Sequence, residues 1–168
     1  MLIYDPTLDP YHCSIRILSI LERCNAKSLP VESVRIADYY LAFPATIADM
    51  RLSSDHLRIR KISRGLINPY RNPLKQRAAF ERMRPIFQAA VSSLIAAGFL
   101  DDQEEKKGVL ARSSSDLPEA LRATIESFVA RQRPIREFIV KELTAIPLLG
   151  PSGLKDRSGL MEHRYDPI

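Results

Sequence analysis

No apolar run in the 168-residue sequence approaches the ~20 residues that a membrane-spanning helix requires, so no membrane association is expected. The opening MLIYDPTLDP has no basic segment ahead of an apolar core, which leads us to expect no secretory signal and a cytoplasmic location. There are only two cysteines. Cys13 and Cys24 fall on one predicted helix, about three turns or ~16 Å apart along its axis, too far for a disulfide, so both are expected to be reduced. Chemistry-bearing constellations are also missing. His12 and Cys13 are neighbours on a helix and point in different directions, and His56 and His163 have no companions at metal-ligand spacing. GPSGLKD lacks the spacing with which a phosphate-binding loop wraps an anion. Carboxylates gather at predicted helix starts (Asp9, Asp116, Glu119) or in DDQEE (Asp101, Asp102, Glu104, Glu105). The expectation is therefore a protein that is not an enzyme, with no catalytic residue, no metal and no cofactor. No internal repeat or low-complexity tract appears.

What is present is a hydrophobic fraction of 45% beside 27% charged residues, ordinary for a globular chain and enough for one domain with additions. The chain is organised around residues 76–112. Phe80, Met83, Phe87, Ala90, Val91, Leu94 and Ile95 recur at three- and four-residue steps, which commits one helix face to a core. Gly98 stands where a helix-terminating glycine belongs, and FLDDQEEKKGVLAR then reads as a short β-hairpin with a charged tip. A helix that hands its chain directly to a hairpin is what the third helix and wing of a winged-helix domain do. The predicted fold class is thus mainly α, a winged-helix-like core of helices plus one hairpin wing over residues 1–147, with additional C-terminal helices.

Around this centre, Asp9 caps a first helix starting at Pro10, with Tyr11, Ile15, Leu18 and Leu21 on one face to about Cys24. Val31, Val34, Tyr39, Tyr40, Leu41 and Phe43 fill a second helix that Pro44 ends or kinks. Its apolar face is broad enough to be either central to the core or half covered by another subunit; Tyr39, Tyr40 and Phe43 are partner-binding candidates on the second reading. Ser53 to Asp55 supply caps for a short helix to about Gly65, and INPYRNP, with Pro69 and Pro73, forms a stiff loop. Pro85 either kinks the central helix at Arg84 or opens a new helix after a short one. Asp116 and Glu119 read as a capping-box pair before a helix carrying Leu121, Ile125 and Phe128, and Pro134 breaks or bends that helix. Beyond Pro147, residues 148–168 read as a flexible tail whose Leu148, Leu149, Leu154, Leu160 and Met161 are further partner-docking candidates.

Charge placement supplies the functional signal. Residues 51–84 hold ten positive and two negative residues, a net +8, whereas the rest of the chain sums to −3. Such a block points to a polyanion or an acidic protein surface. Arg58, Lys61 and Arg64 share a helix face, Arg60 lies among them, and Arg71, Lys75 and Arg77 follow on the stiff loop. These seven are the nucleic-acid-binding candidates. Arg82 and Arg84 lie against the core helix, where a protein partner would bury them. The acidic hairpin tip would repel phosphate, which argues against simple operator binding by the wing.

In DPYHCSIRILSIL, LPVESVRIADYYLAFP, INPYRNPLKQRAAFERMRPIFQAAVSSLIAAGFL and the wing after it, covering about residues 5–145, the chain resembles the small middle components of bacterial ABC three-component systems. That group includes the small third subunit of Lamassu-type anti-phage defence. The resemblance implies a non-enzymatic winged-helix adaptor in anti-phage or anti-plasmid defence. It would bridge an SMC-like (Rad50-like) ABC ATPase and a nuclease-like effector, with double-stranded DNA a candidate contact of the complex. The alternative is a winged-helix transcription regulator that binds DNA.

Overall fold

The computed structural model describes residues 5–162. Helix α1 (Pro10–Arg23) opens as its sequence dictates: Asp9 accepts the Tyr11 N–H at 2.7 Å, and Pro10 occupies a first-turn position that needs no N–H. Ile15, Leu18 and Leu21 face the core as their spacing predicts, but Tyr11 points to solvent. After strand β1 (Ser28–Pro30), helix α2 (Val31–Ala42) runs through the centre of the molecule and stops just before Pro44, which starts a 3-10 turn, Pro44–Asp49.

Helix α3 (Leu57–Gly65) lies against that turn, and a loop over residues 66–75 leads to α4 (Gln76–Arg82) and α5 (Arg84–Ala96). Of the two alternatives at Pro85, the chain takes the new helix, with Pro85 in the first turn of α5. Gly98, at φ +79°, ends α5 by turning its N–H to Ile95 O (2.9 Å) and that of Phe99 to Leu94 O (2.9 Å). A residue with a Cβ resists that left-handed geometry, which is why the period change falls there.

The segment read from the sequence as a wing comes next, with a helical turn α6 (Asp102–Glu105) at its tip and strand β2 (Val109–Ala111) on its return. Its outgoing arm meets the return at a Leu100–Arg112 bridge, whereas the regular antiparallel ladder joins β2 to β1, pairing Leu29 with Leu110. Pro30 has no N–H to offer the ladder, and the next N–H, of Val31, reaches Gly108 O at 3.1 Å instead.

Helices α7 (Glu119–Ala130) and α8 (Arg133–Phe138) continue the chain, with Pro134 in the first turn of α8, and a π-helical turn at Ile139–Leu143 extends the second of them. The expected Asp116–Glu119 capping box does not form. Pro118 occupies the cap position of α7 and no side chain bonds there, because the proline itself pre-sets the backbone for helix entry.

Two readings give way to packing. Residues 148–162 are not a loose tail: α9 (Leu154–Ser158) comes directly after Gly153, and Leu154 and Leu160 are buried in the core cluster. A Cβ on Gly153 would fall 2.4 Å from Leu149 O, so this close approach is open only to glycine. Residues 163–168 lie outside the described residues. Tyr39 and Tyr40, offered as partner contacts, are both 0% exposed, and Phe43 is buried beside them. Their rings stack edge-on at 5.4 Å and pack on Phe43 (5.3 Å) and Phe80 (6.0 Å) around Tyr39. The broad face of α2 is covered by this chain's own α1, α9, β-strands and π-turn rather than left for another subunit.

An unpaired basic surface as the candidate functional site

Helix α3 is set on the body by its inward residues. Ile59, Ile62 and Leu66 pack on the core, and the fully buried Ser63 hydroxyl shares its proton between the carbonyls of Pro44 (2.8 Å) and Ala45 (2.7 Å). The same oxygen accepts the Ala48 N–H at 2.9 Å. With that face committed, Arg58, Lys61 and Arg64 are left to solvent. Arg60 is not with them. Its Nη2 donates to Met50 O at 3.1 Å and its side chain turns back onto the 3-10 turn, so one of the seven expected cations is spent on the fold. Helical angle alone does not decide this, since Arg58 flanks Ile59 as closely and stays exposed; the Met50 carbonyl within reach on one side draws Arg60 in.

Beyond α3, Asn68 organises the loop. Its side-chain oxygen accepts the Tyr70 N–H (3.0 Å), and its carbonyl accepts those of Arg71 (3.0 Å) and Asn72 (2.9 Å). Gln76 ties the far end down by donating to Asp49 at 2.7 Å. Arg71, Lys75 and Arg77 are exposed on this frame. Between Leu57 and Arg77 there is no carboxylate, and among the described residues none of Arg58, Lys61, Arg64, Arg71, Lys75 and Arg77 enters an ion pair.

Several cations elsewhere are paired: Arg23 with Glu126 (2.5 Å), Arg51 with Asp156 (2.5 Å), Lys141 with Glu137 (2.7 Å) and Arg112 with Glu22. Those of the wing tip are paired as well. Asp101 caps α6 through the N–H groups of Gln103 (2.8 Å) and Glu104 (3.1 Å). Lys106 folds onto Asp102 (2.6 Å) and Lys107 onto Glu104 (2.5 Å), and each hydrogen-bonded carboxylate pushes its lysine's pKa up. Lys27, Arg82, Arg122, Arg131 and Arg133 are also exposed and in no ion pair among the described residues, so what sets the 57–77 face apart is density: six such cations in one stretch that holds no carboxylate.

It differs in a second way that charge counting misses. Leu57 (60%), Ile67 (58%), Tyr70 (98%) and Leu74 (99%) stand exposed among these cations. Only the contact pattern reveals this, since the sequence around the two prolines has no periodicity to assign a side.

The other partner candidates separate. Arg84 is held by Glu81 (3.0 and 2.6 Å) and stands on the rim of a cleft of about 580 Å³ between α2, α5 and the wing, floored by Phe87, Val91, Ile95 and Leu110. Arg82 is exposed, Leu148 packs on the core, and Leu149 remains 40% exposed. The sequence reading also passed over a buried polar set. Arg16 Nε donates to Asp38 Oδ1 at 2.6 Å, and the Cys13 thiol lies 3.6 Å from both Asp38 oxygens. The signal was there: Asp38 interrupts the apolar run of α2, and Arg16 lies on the core side of α1. Burial, with the Asp38 charge beside it, pushes the Cys13 thiol strongly upward and keeps it protonated.

The sequence model of one protein family, ABC-three component (ABC-3C) system Middle Component 5, matches residues 2–166. The chain belongs to that family. No curated protein and no solved structure matches it. Membership makes this middle component one part of a multi-component system. No helix among the described residues of the middle component is long and apolar enough to cross a membrane.

Proposed function

We propose that the chain is a non-enzymatic, winged-helix adaptor of its three-component system. It would bridge an SMC-like or Rad50-like ABC ATPase and a nuclease-like effector in anti-phage or anti-plasmid defence, and would carry a face for double-stranded DNA. The observation that carries the DNA part is the stretch from Leu57 to Arg77: seven cations, no carboxylate, and six of the seven exposed without an ion partner. Phosphates would supply the missing anions, releasing their condensed counterions and gaining affinity without reading sequence. The run α1, β1, α2, α5 and the arm that returns as β2 follows the winged-helix order, with α3 and α4 inserted between α2 and α5, and supports a winged-helix core. The wing itself is not the phosphate contact in this reading, because both tip lysines are already engaged by Asp102 and Glu104.

The test is a salt-titrated DNA-binding assay on the assembled complex. Charge reversal of Arg58, Lys61 and Arg64 together should weaken binding and flatten the salt dependence by roughly 0.9 in log–log slope per lost phosphate contact, with assembly intact. Dissociation of the complex by the same reversals would assign these cations to a partner's carboxylates instead.

A further inference from the structure

The basic face carries a feature that phosphate binding leaves unexplained. Of the six most exposed large apolar side chains among the described residues, four (Leu57, Ile67, Tyr70, Leu74) fall within residues 57–74. Tyr70 and Leu74 are 98% and 99% exposed, so this chain gives them almost nothing to touch. Single exposed apolar residues are ordinary, but a cluster marks a contact surface. We infer that the loop over residues 66–75 is a preformed plug: Tyr70 and Leu74 enter apolar pockets on a protein subunit of the same system, and the acidic rim of those pockets pairs with Arg71 and Lys75.

Three observations favour a protein with that chemistry. The loop is already shaped, by Pro69, Pro73 and the three N–H groups gathered on Asn68, and is pinned by Gln76 to Asp49, so docking orders little new backbone. Tyrosine and arginine, paired here as Tyr70 and Arg71, are the residue types that dominate binding energy at protein interfaces. A DNA duplex offers phosphates to Arg71 and Lys75 but no pocket for Leu74, which would have to unstack a base step to leave water. Charge complementarity then fixes the rim as acidic, since no carboxylate of this chain lies between Leu57 and Arg77. Arg71 and Lys75 thereby pass from the DNA face to the protein contact, and DNA keeps the neighbouring α3 face, Arg58, Lys61 and Arg64.

This inference rests on the adaptor reading, and the experiment separates the two. The full chain, its Tyr70→Ala/Leu74→Ser variant and its Arg58→Glu/Lys61→Glu/Arg64→Glu variant are each titrated against the system's other two components, purified singly. DNA affinity is then measured on whatever complexes form. Both residues of the plug are exposed, so the first variant should melt like the native chain. The expected result is a loss of at least tenfold in affinity for one component from the plug variant and little from the α3 variant, with Tyr70→Phe retaining most of the binding. Native-like affinity of the plug variant for both components overturns the inference. Intact assembly with weakened DNA binding also overturns it and makes the loop a DNA wedge; loss of self-association of the lone chain overturns it in favour of a homotypic contact. A native chain that binds neither component removes the adaptor reading itself, and the plug with it.

Discussion

The Arg16 guanidinium of α1 and the Asp38 carboxylate of α2 meet at 2.6 Å with side chains only 4% and 2% exposed. The pair joins two helices at the centre of the molecule, where neither ion has water to fall back on. Removing one partner strands the other, so Asp38→Ala should cost about 3–5 kcal/mol. The double change Arg16→Met/Asp38→Leu, which removes both charges, should recover most of that loss. Urea unfolding of the two single variants and the double variant measures the coupling; a single-variant cost under about 1 kcal/mol would show that the pair carries no weight.

Tyr40 has a fully buried hydroxyl without a hydrogen-bond partner, and burial drives its pKa upward. A buried group left unsatisfied costs about 1–3 kcal/mol, so Tyr40→Phe should be neutral or stabilising. Thermal melting decides: a clear drop in Tm would mean that the hydroxyl is bonded in solution.

The two thiols should react in sequence. Cys24 is part-exposed and Cys13 is 1% exposed beside Asp38, both with pKa values raised by burial. Under native conditions a thiol reagent should modify Cys24 slowly and Cys13 only as fast as the core opens. Cys13 labelling faster than Cys24 would contradict the packing of α1 on α2.

Leu154, fully buried from α9, tests whether the C-terminal segment belongs to the core. Leu154→Ala should destabilise the whole protein by about 2–5 kcal/mol in a single transition. Gly153→Ala should destabilise as well, through the collision of its Cβ with Leu149 O. An unchanged melt for both would return these residues to the status of a tail.

The helices were legible wherever a local cause acts. Asp9 and Pro10 start α1, Pro44 stops α2 and Gly98 ends α5, each through its own backbone chemistry. Strand β1 was not, because three residues have no readable period and pair with a strand far along the chain. Periodicity marked the face of α2 but could not say what covers it, so Tyr39 and Tyr40 were compatible with a core and with an interface. Leu154 and Leu160 read as contacts for a partner but are buried in this chain's own core, because a glycine contact, rather than a repeat, carries them inward. At the candidate site the charge run was plain in the sequence. The turning-in of Arg60 and the exposure of Tyr70 and Leu74 come from packing that no local pattern encodes.

The β1–β2 ladder has a consequence for the order of assembly. Leu29 and Leu110 are partners roughly eighty residues apart, a closure whose entropic cost grows with the logarithm of the intervening length and is recovered only after the helices between them have collapsed. Helices α1 and α2 are near neighbours in the chain and can pack early, α5 meets α1 from far along the chain, and the ladder must wait for that long-range packing. It should form last on refolding and open first in the native state, with the wing and the turn before α2 losing amide protection together, ahead of the helical body.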